Sequence, residues 1–179
     1  MNSIKKIVII GGESTGKSTL CKQLAAYYKT TWVNEFARNY LENLDRDYNQ
    51  TDLIEIAKGQ ILLEDELAKK ANKYLFCDTD LHVLQVWSEY KYQDCDRFIL
   101  DQIATRKYDA YIITSPDFPW EPDPLREHPE PELRAYFFRQ YLNLIENTNL
   151  PICVVRGNQV ERMNMAIDYI DKLSDAIKH

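Results

Sequence analysis

The apolar run "KIVII", Lys6–Ile10, passes directly into "GGESTGKST", Gly11–Thr19, and then into "KSTLCKQLAAYY". Few sequences constrain a fold so tightly. A β-branched strand, a glycine turn matching G-x-x-x-x-G-K-[ST] and a helix must follow one another without a linker. Glycine is scarce here, five in the chain, yet three of them (Gly11, Gly12, Gly16) fall within these nine residues. Backbone amides converge on one anion only where the chain takes conformations and close approaches that a side chain would block. Lys17 is then expected to reach the β- and γ-phosphates of a nucleotide. Ser18 would offer its hydroxyl to Mg²⁺, and the start of the helix would add its dipole. Gly12, Glu13, Ser14, Thr15, Gly16, Lys17, Ser18 and Thr19 form the expected ATP-binding loop.

Strand-like runs recur: "KIVII", "TTWVN", "KYLFCD", "AYIITS" and "PICVVRG", with helical segments between them. The first, fourth and fifth are short, apolar and rich in β-branched residues, as in parallel strands covered on both faces. Such alternation predicts one α/β domain over residues 1–179 of the P-loop type. Its sheet is doubly wound, mainly parallel and five-stranded, with helices on both faces. In "DLIEIAKGQILLEDELAKKAN" the pattern places Leu53, Ile56, Ala57, Gln60, Leu63 and Leu67 near one helical face. Asp52 reads as the helix cap, with Glu55 completing a capping box. The last helix is expected to begin near Asn158. Six of the seven prolines lie in "SPDFPWEPDPLREHPEPELR", which excludes a continuous helix or a central strand. It follows a strand end and reads as a lid over the site, about 116–131.

Ligands in open α/β sheets bind outside the carboxyl ends of the strands, so residues there are the first candidates. Glu35 and Arg38 in "WVNEFAR" follow the second strand. The carboxylate is placed to accept a hydroxyl proton and the arginine to grip substrate or phosphate; an ordinary helix-start Glu with an i,i+3 arginine partner is the competing explanation. Asp78 and Asp80 in "YLFCDTDL" end the third strand. Asp78 has the Walker B position and is a metal candidate with Ser18, while Asp80 is a candidate for orienting a hydroxyl or ribose. Helix capping by Thr79 or Asp80 explains the same residues. Trp87 and Tyr90, three apart on the next helix, read either as core or as a ligand platform. Trp120 lies in the lid, where little core is available to it. Arg126, with Asp117 and Asp123 nearby, would bring a cation to the transferring group on lid closure. Arg156 and Gly157 are placed to pack against an adenine, although Gly157 reads equally as a turn glycine ahead of an Asn158 cap. Lys17, Glu35, Asp78 and Arg126 are thus the candidate catalytic set.

Several classes are disfavoured. Cys21, Cys77, Cys95 and Cys153 lie far apart, and His82, His128 and His179 do not cluster. Buried reduced thiols are expected and a zinc site is not. A formal net charge of −6 disfavours wrapping a nucleic acid. No apolar run has the length of a membrane span, and no leader pattern precedes the first strand. The expected location is therefore the cytoplasm and the expected partner a small molecule, with a homo-oligomer left open.

Taken in order, "GGESTGKSTL", "WVNEFAR", "IAKGQILLED", "LFCDTDLHVLQVWSEYKY" and "DFPWEPDPLRE" give the chain a resemblance to the ribosylnicotinamide kinase domain of the NadR family. The likeness runs from Ile4 to about Arg162. It implies ATP-dependent phosphorylation of the ribose 5′-hydroxyl of nicotinamide riboside, yielding nicotinamide mononucleotide for NAD salvage. It further implies ATP and Mg²⁺ at Lys17 and Ser18, with Glu35, Arg38, Asp78, Asp80, Trp87, Tyr90 and Trp120 around the riboside. By analogy with small nucleoside kinases Glu35 is the favoured base, with Asp78 competing. Family members often carry a DNA-binding and an adenylyltransferase domain before the kinase. With no H-x-G-H motif here and only three residues before the first strand, those activities are not expected of this chain. A kinase for another nucleoside, or a nucleotide-dependent regulatory ATPase, remains the alternative.

Overall fold

The computed structural model describes residues 4–176, so the first three and the last three residues, His179 among them, lie outside the described part. The strands are β1 (Lys5–Gly11), β2 (Trp32–Val33), β3 (Tyr74–Asp78), β4 (Ala110–Thr114) and β5 (Ile152–Val155). The helices are α1 (Lys17–Tyr27), α2 (Phe36–Glu42), α3 (Gln50–Ala68), α4 (Leu81–Tyr92), α5 (Arg97–Thr105), α6 (Pro131–Glu146) and α7 (Gln159–Ala176). Every pairing is parallel and the spatial order is β2-β3-β1-β4-β5. The chain leaves β1 towards one edge, returns to fill the gap with β3, and then crosses to β4 on the other side. The order reverses at the carboxyl end of β1, which is where such sheets open a ligand crevice.

Alternation along β1 divides the core. Ile7 and Ile9 pack with Leu20, Leu24, Ala166 and Ile170 from α1 and α7 on one face. Val8 and Ile10 pack with Val83, Val86, Phe137, Tyr141 and Ile145 from α4 and α6 on the other. Both faces of β1 are dry because both are covered, so its residues read as a continuous apolar run. A satellite core joins α2, α3, α4 and α5 through Ala37, Leu53, Ile56, Leu84 and Ile99. No helix among the described residues is long and apolar enough to cross a membrane.

Two expectations for α3 are corrected. The helix starts one turn earlier, with Asn49 as its cap. Asn49 Oδ1 accepts from the amides of Thr51 (2.9 Å) and Asp52 (3.2 Å), and Asp52 accepts back from the Asn49 amide at 2.8 Å. Asp52 is thus the third helical residue of a capping box, not the cap, and Glu55 instead pairs with Lys58 at 2.7 Å. Asparagine before Gln-Thr-Asp satisfies the same rule one register earlier. The Arg46 guanidinium also holds the Asp52 carboxyl well below the usual carboxylate range.

The apolar face of α3 also contains an acid that periodicity does not reveal. Glu64 is 1% exposed, and its carboxylate accepts from Lys6 (2.9 Å), Arg106 (2.7 Å) and Tyr108 (2.9 Å). It ties α3 to β1 and to the α5–β4 connection. The four cysteines are free thiols, Cys21 and Cys77 buried, Cys95 and Cys153 half-buried. Removing the Glu64 carboxylate leaves Lys6 and the Tyr108 hydroxyl without their partner and Arg106 with Asp65 alone, so Glu64→Ala should lower unfolding stability by about 3 kcal/mol, read from urea denaturation midpoints.

Candidate active site

The loop between β1 and α1 is positioned by a contact with the neighbouring strand. Gly11 has φ 152°, and a Cβ there would meet Thr114 Oγ1 at 2.2 Å and the Thr114 carbonyl at 2.9 Å. Thr15 folds back so that its hydroxyl lies 2.7 Å from Thr114 Oγ1 and 2.8 Å from the Gly12 carbonyl. Ser14 (φ 52°) and Gly16 (φ 77°) take left-handed backbone, which turns successive amides to one side. Lys17 Nζ donates to the Gly12 carbonyl at 2.8 Å, within the loop it is expected to serve.

A cavity of about 160 Å³ opens on this loop. It brings together Glu13 through Thr19, Glu35, Arg38, Trp87 and Arg126, and adds Tyr141, which sequence reasoning did not single out. Glu35 lies at the start of α2 but makes no cap bond with its side chain. Gln60 holds the turn instead, accepting from the Phe36 amide at 2.7 Å. Arg38 does not pair with Glu35 either: it bonds Glu42 at 3.0 Å and Asp123 of the proline-rich segment at 2.7 Å. Glu35 therefore stands at the helix start without the expected arginine partner, and it lines the cavity.

Asp78 is 1% exposed beneath the loop, and its Oδ1 has no hydrogen-bond partner. Burial, helped by the charge of Glu35, pushes its carboxyl up to about 7, with Lys17 and Ser18 pulling the other way. Asp80 differs. It caps α4 by accepting from the His82 amide at 3.0 Å, and its other oxygen is held by His82 Nδ1 and the Tyr111 hydroxyl, both at 2.8 Å. Burial raises the Asp80 carboxyl, but His82 and the hydroxyl outweigh that and hold it below the ordinary range. Asp80 therefore turns away from the cavity, a correction to the ribose-orienting expectation; capping explains it.

A second cavity of about 410 Å³ adjoins the first through Glu13, Leu41, Trp87 and Leu125. Its aromatic walls are Tyr48, Trp87, Tyr90 and Phe137, with His128 from the proline-rich segment. The His128 ring lies 5.4 Å from Tyr90 and 4.8 Å from Phe137. Tyr48, His128 and Phe137 carried no spacing signal, since they come from the connection before α3, from the proline-rich segment and from α6.

The segment 115–130 forms neither helix nor strand and lies over the loop. Glu13 Oε2 accepts from the amides of Glu127 (3.0 Å) and His128 (3.2 Å), while Ser14 Oγ accepts from Glu121 N at 2.9 Å. Burial raises the Glu13 carboxyl against these amides. Arg126 lines the loop cavity and approaches Ser14 Oγ at 3.4 Å. Trp120 lies instead beside Arg134, 5.6 Å from its guanidinium carbon, and lines neither cavity. Arg156, expected against an adenine, is exposed and lines none of these cavities. Asn158 caps α7 through Val160 N (2.9 Å) and Glu161 N (3.1 Å), which makes Gly157 (φ 81°) the turn glycine. A third cavity of about 210 Å³ on that side is lined by Thr19, Leu20, Phe118, Gln159 and Arg162 among others.

A parallel sheet reversing at β1, a G-x-x-x-x-G-K-S loop against Thr114 and a buried strand-end aspartate define a P-loop α/β protein with the architecture of small kinases. A family profile described as an AAA domain matches residues 6–162, and the chain belongs to that family. Among curated proteins it is similar to the trifunctional NAD biosynthesis/regulator protein NadR of Escherichia coli (strain K12). The two are 32% identical over 152 residues, covering 82% of this chain and 37% of NadR. A crystal structure of NadR in complex with NAD and AMP-PNP superposes with a TM-score of 0.80 at 22% identity, over 97% of this chain and 50% of that one. NadR in complex with NR gives 0.79 at 23%, over 96% and 52%. The chain thus spans about half or less of these relatives, and the superpositions establish the shared fold.

The Asp78 carboxyl keeps its proton to about pH 7 in the folded chain, against an ordinary value of 3.8. Between these values the folded state binds more protons than the unfolded one, so stability falls as pH rises through the window. In chelator-treated, nucleotide-free protein, Asp78→Asn should therefore stabilise by about 2–4 kcal/mol at pH 8 and leave stability nearly unchanged at pH 4, read from thermal melts.

Proposed function

We propose that the protein transfers the γ-phosphoryl group of ATP to the 5′-hydroxyl of nicotinamide riboside, forming nicotinamide mononucleotide and ADP. One observation carries this reading. The cavity that holds the phosphate loop also holds the uncommitted Glu35 carboxylate and runs into an aromatic chamber. A protein that only binds and hydrolyses a nucleotide has no use for such a chamber. The likeness to NadR, a protein of NAD biosynthesis that has been crystallised with NR, supports the choice of acceptor.

On this reading the loop amides and Lys17 hold the triphosphate, and the donor base lies towards Phe118. The positively charged nicotinamide ring rests among Trp87, Tyr90 and Phe137, where ring faces attract a cation. Glu35 takes the proton from the 5′-hydroxyl as its oxygen bonds to the γ-phosphorus. The bond from that phosphorus to the β–γ bridging oxygen breaks, and ADP leaves. Arg126 and Arg38 face the cavity with the positive charge that the transferred oxygens need. The residues fit a magnesium ion: Asp78 Oδ1 is buried without a partner and Ser18 stands beside it. When bound, Mg²⁺ would supply charge neutralisation to the phosphates. Asp78, deeply buried, is assigned to that ion and Glu35 to the proton.

Purified protein with ATP, Mg²⁺ and a panel of nucleosides tests this directly. Nicotinamide riboside should be the preferred acceptor, and Glu35→Gln should lower kcat by about 10²–10⁴-fold with little change in KM for ATP. Trp87→Ala should raise the acceptor KM by about tenfold. Turnover of another nucleoside but not of the riboside would overturn the acceptor. ATP hydrolysis indifferent to every acceptor would instead support a regulatory ATPase.

A further inference from the structure

Two arginines outside the phosphate-loop motif grip consecutive carbonyls of that loop. Arg134, on α6, donates to the Ser14 carbonyl at 3.3 Å, and Arg162, on α7, donates to the Thr15 carbonyl at 2.8 Å. A trans peptide is planar, so a carbonyl and the next residue's N–H point in opposite directions. Drawing the Ser14 and Thr15 carbonyls outward therefore aims the Thr15 and Gly16 amides the other way, into the cavity that both residues line. Among the described residues neither amide has a protein acceptor.

The same guanidiniums hold the root of the overlying segment. Arg134 also donates to the Phe118 carbonyl at 2.7 Å, and Arg162 to the Ser115 carbonyl at 3.0 Å and to the Asp117 carboxylate. Arg162 is 2% exposed and reaches a further carbonyl, Gly157, at 2.8 Å. Arg134 Nε is buried with no partner. Among the described residues Asp117 is the one carboxylate in direct contact with the pair, so the cluster carries an excess positive charge beside the loop.

From this geometry we infer that Arg134 and Arg162 are positioning residues for the donor triphosphate, which fix the Thr15 and Gly16 amides in their anion-binding orientation and join the loop to the lid root. The inference rests on the loop's reading as the ATP site but not on the identity of the acceptor. It separates these arginines from Arg126, which lines the cavity itself. Arg162 requires the planar fork, because its Nε, Nη1 and Nη2 each donate to a different carbonyl. Arg134 makes both of its bonds through Nη2, which lies beyond the reach of a lysine ammonium at the same position.

Calorimetric titration of the full chain with ATP-Mg²⁺, and separately with nicotinamide riboside, tests it. Arg134→Gln and the charge-keeping Arg134→Lys should each weaken ATP binding by about tenfold while the riboside affinity stays within about twofold. With ATP-Mg²⁺ bound at saturation, hydrogen exchange at the Thr15 and Gly16 amides should be quicker in both variants than in the unsubstituted protein. Arg162→Lys should show the same donor-selective loss with a lower melting temperature; if it does not fold, the Arg134 pair decides. Unchanged ATP affinity in folded Arg134 variants, full retention by Arg134→Lys, or equal loss for both ligands would overturn the inference. ATP binding without transfer to the riboside would defeat the acceptor assignment and leave this test standing. No ATP binding by the unsubstituted protein would overturn both.

Discussion

The closeness of β1 to β4 at their carboxyl ends is the constraint on which the rest depends. Gly11 sits where any Cβ would strike Thr114, and the Thr114 hydroxyl meets that of Thr15 at 2.7 Å. This contact closes the loop into a cradle and joins it to the strand from which the overlying segment departs. Because β1 is flanked by β3 and β4 and covered on both faces, it has no freedom to adjust. The site inherits its rigidity from the centre of the sheet, while the groups that meet ligands come from the more exposed connections.

Electrostatics divides those connections into committed and uncommitted charges. Asp80, Glu64 and Asp52 are buried carboxylates whose partners stand in place, and they tie elements together. Asp78 is buried with one oxygen unpartnered, and Arg134 has a buried nitrogen in the same condition. Buried polar groups are ordinarily paired, and these two differ by their place from the other unpartnered atoms, on Gln23, Gln60, Arg106 and Tyr169. Both stand next to the phosphate loop. Glu13 is intermediate: it faces the cavity and also holds the overlying segment by two amides, so one side chain links what happens at the loop to what lies above it.

How much was legible in the sequence follows from the range of each signal. The five strands and the loop were readable because period, glycine placement and local order lie within a dozen residues. Asp80 shows the limit of that reading. An aspartate two residues past a strand serves equally as cap or ligand, and only the approach of Tyr111 from β4 and the turn of His82 showed which. For Glu35 the structure removed only the arginine partner, because Arg38 bonds Glu42 and Asp123 instead. Arg156 looked apt beside Gly157, yet in this part of the chain the guanidinium that reaches the loop is that of Arg162, on α7 and facing inwards.

The sequence by itself determined the strand–loop–helix unit, the parallel α/β class, the proline-rich cover and the group of acids at the strand ends. These are local consequences of hydrophobic period, backbone freedom at glycine and its restriction at proline. The tertiary structure alone decided which acids face the cavity, which arginines orient the loop and which rings line the chamber. Those outcomes depend on contacts such as Ser14 with Arg134 and Tyr90 with His128. Residues so far apart in the chain are brought together by packing, and no spacing rule acts over that distance.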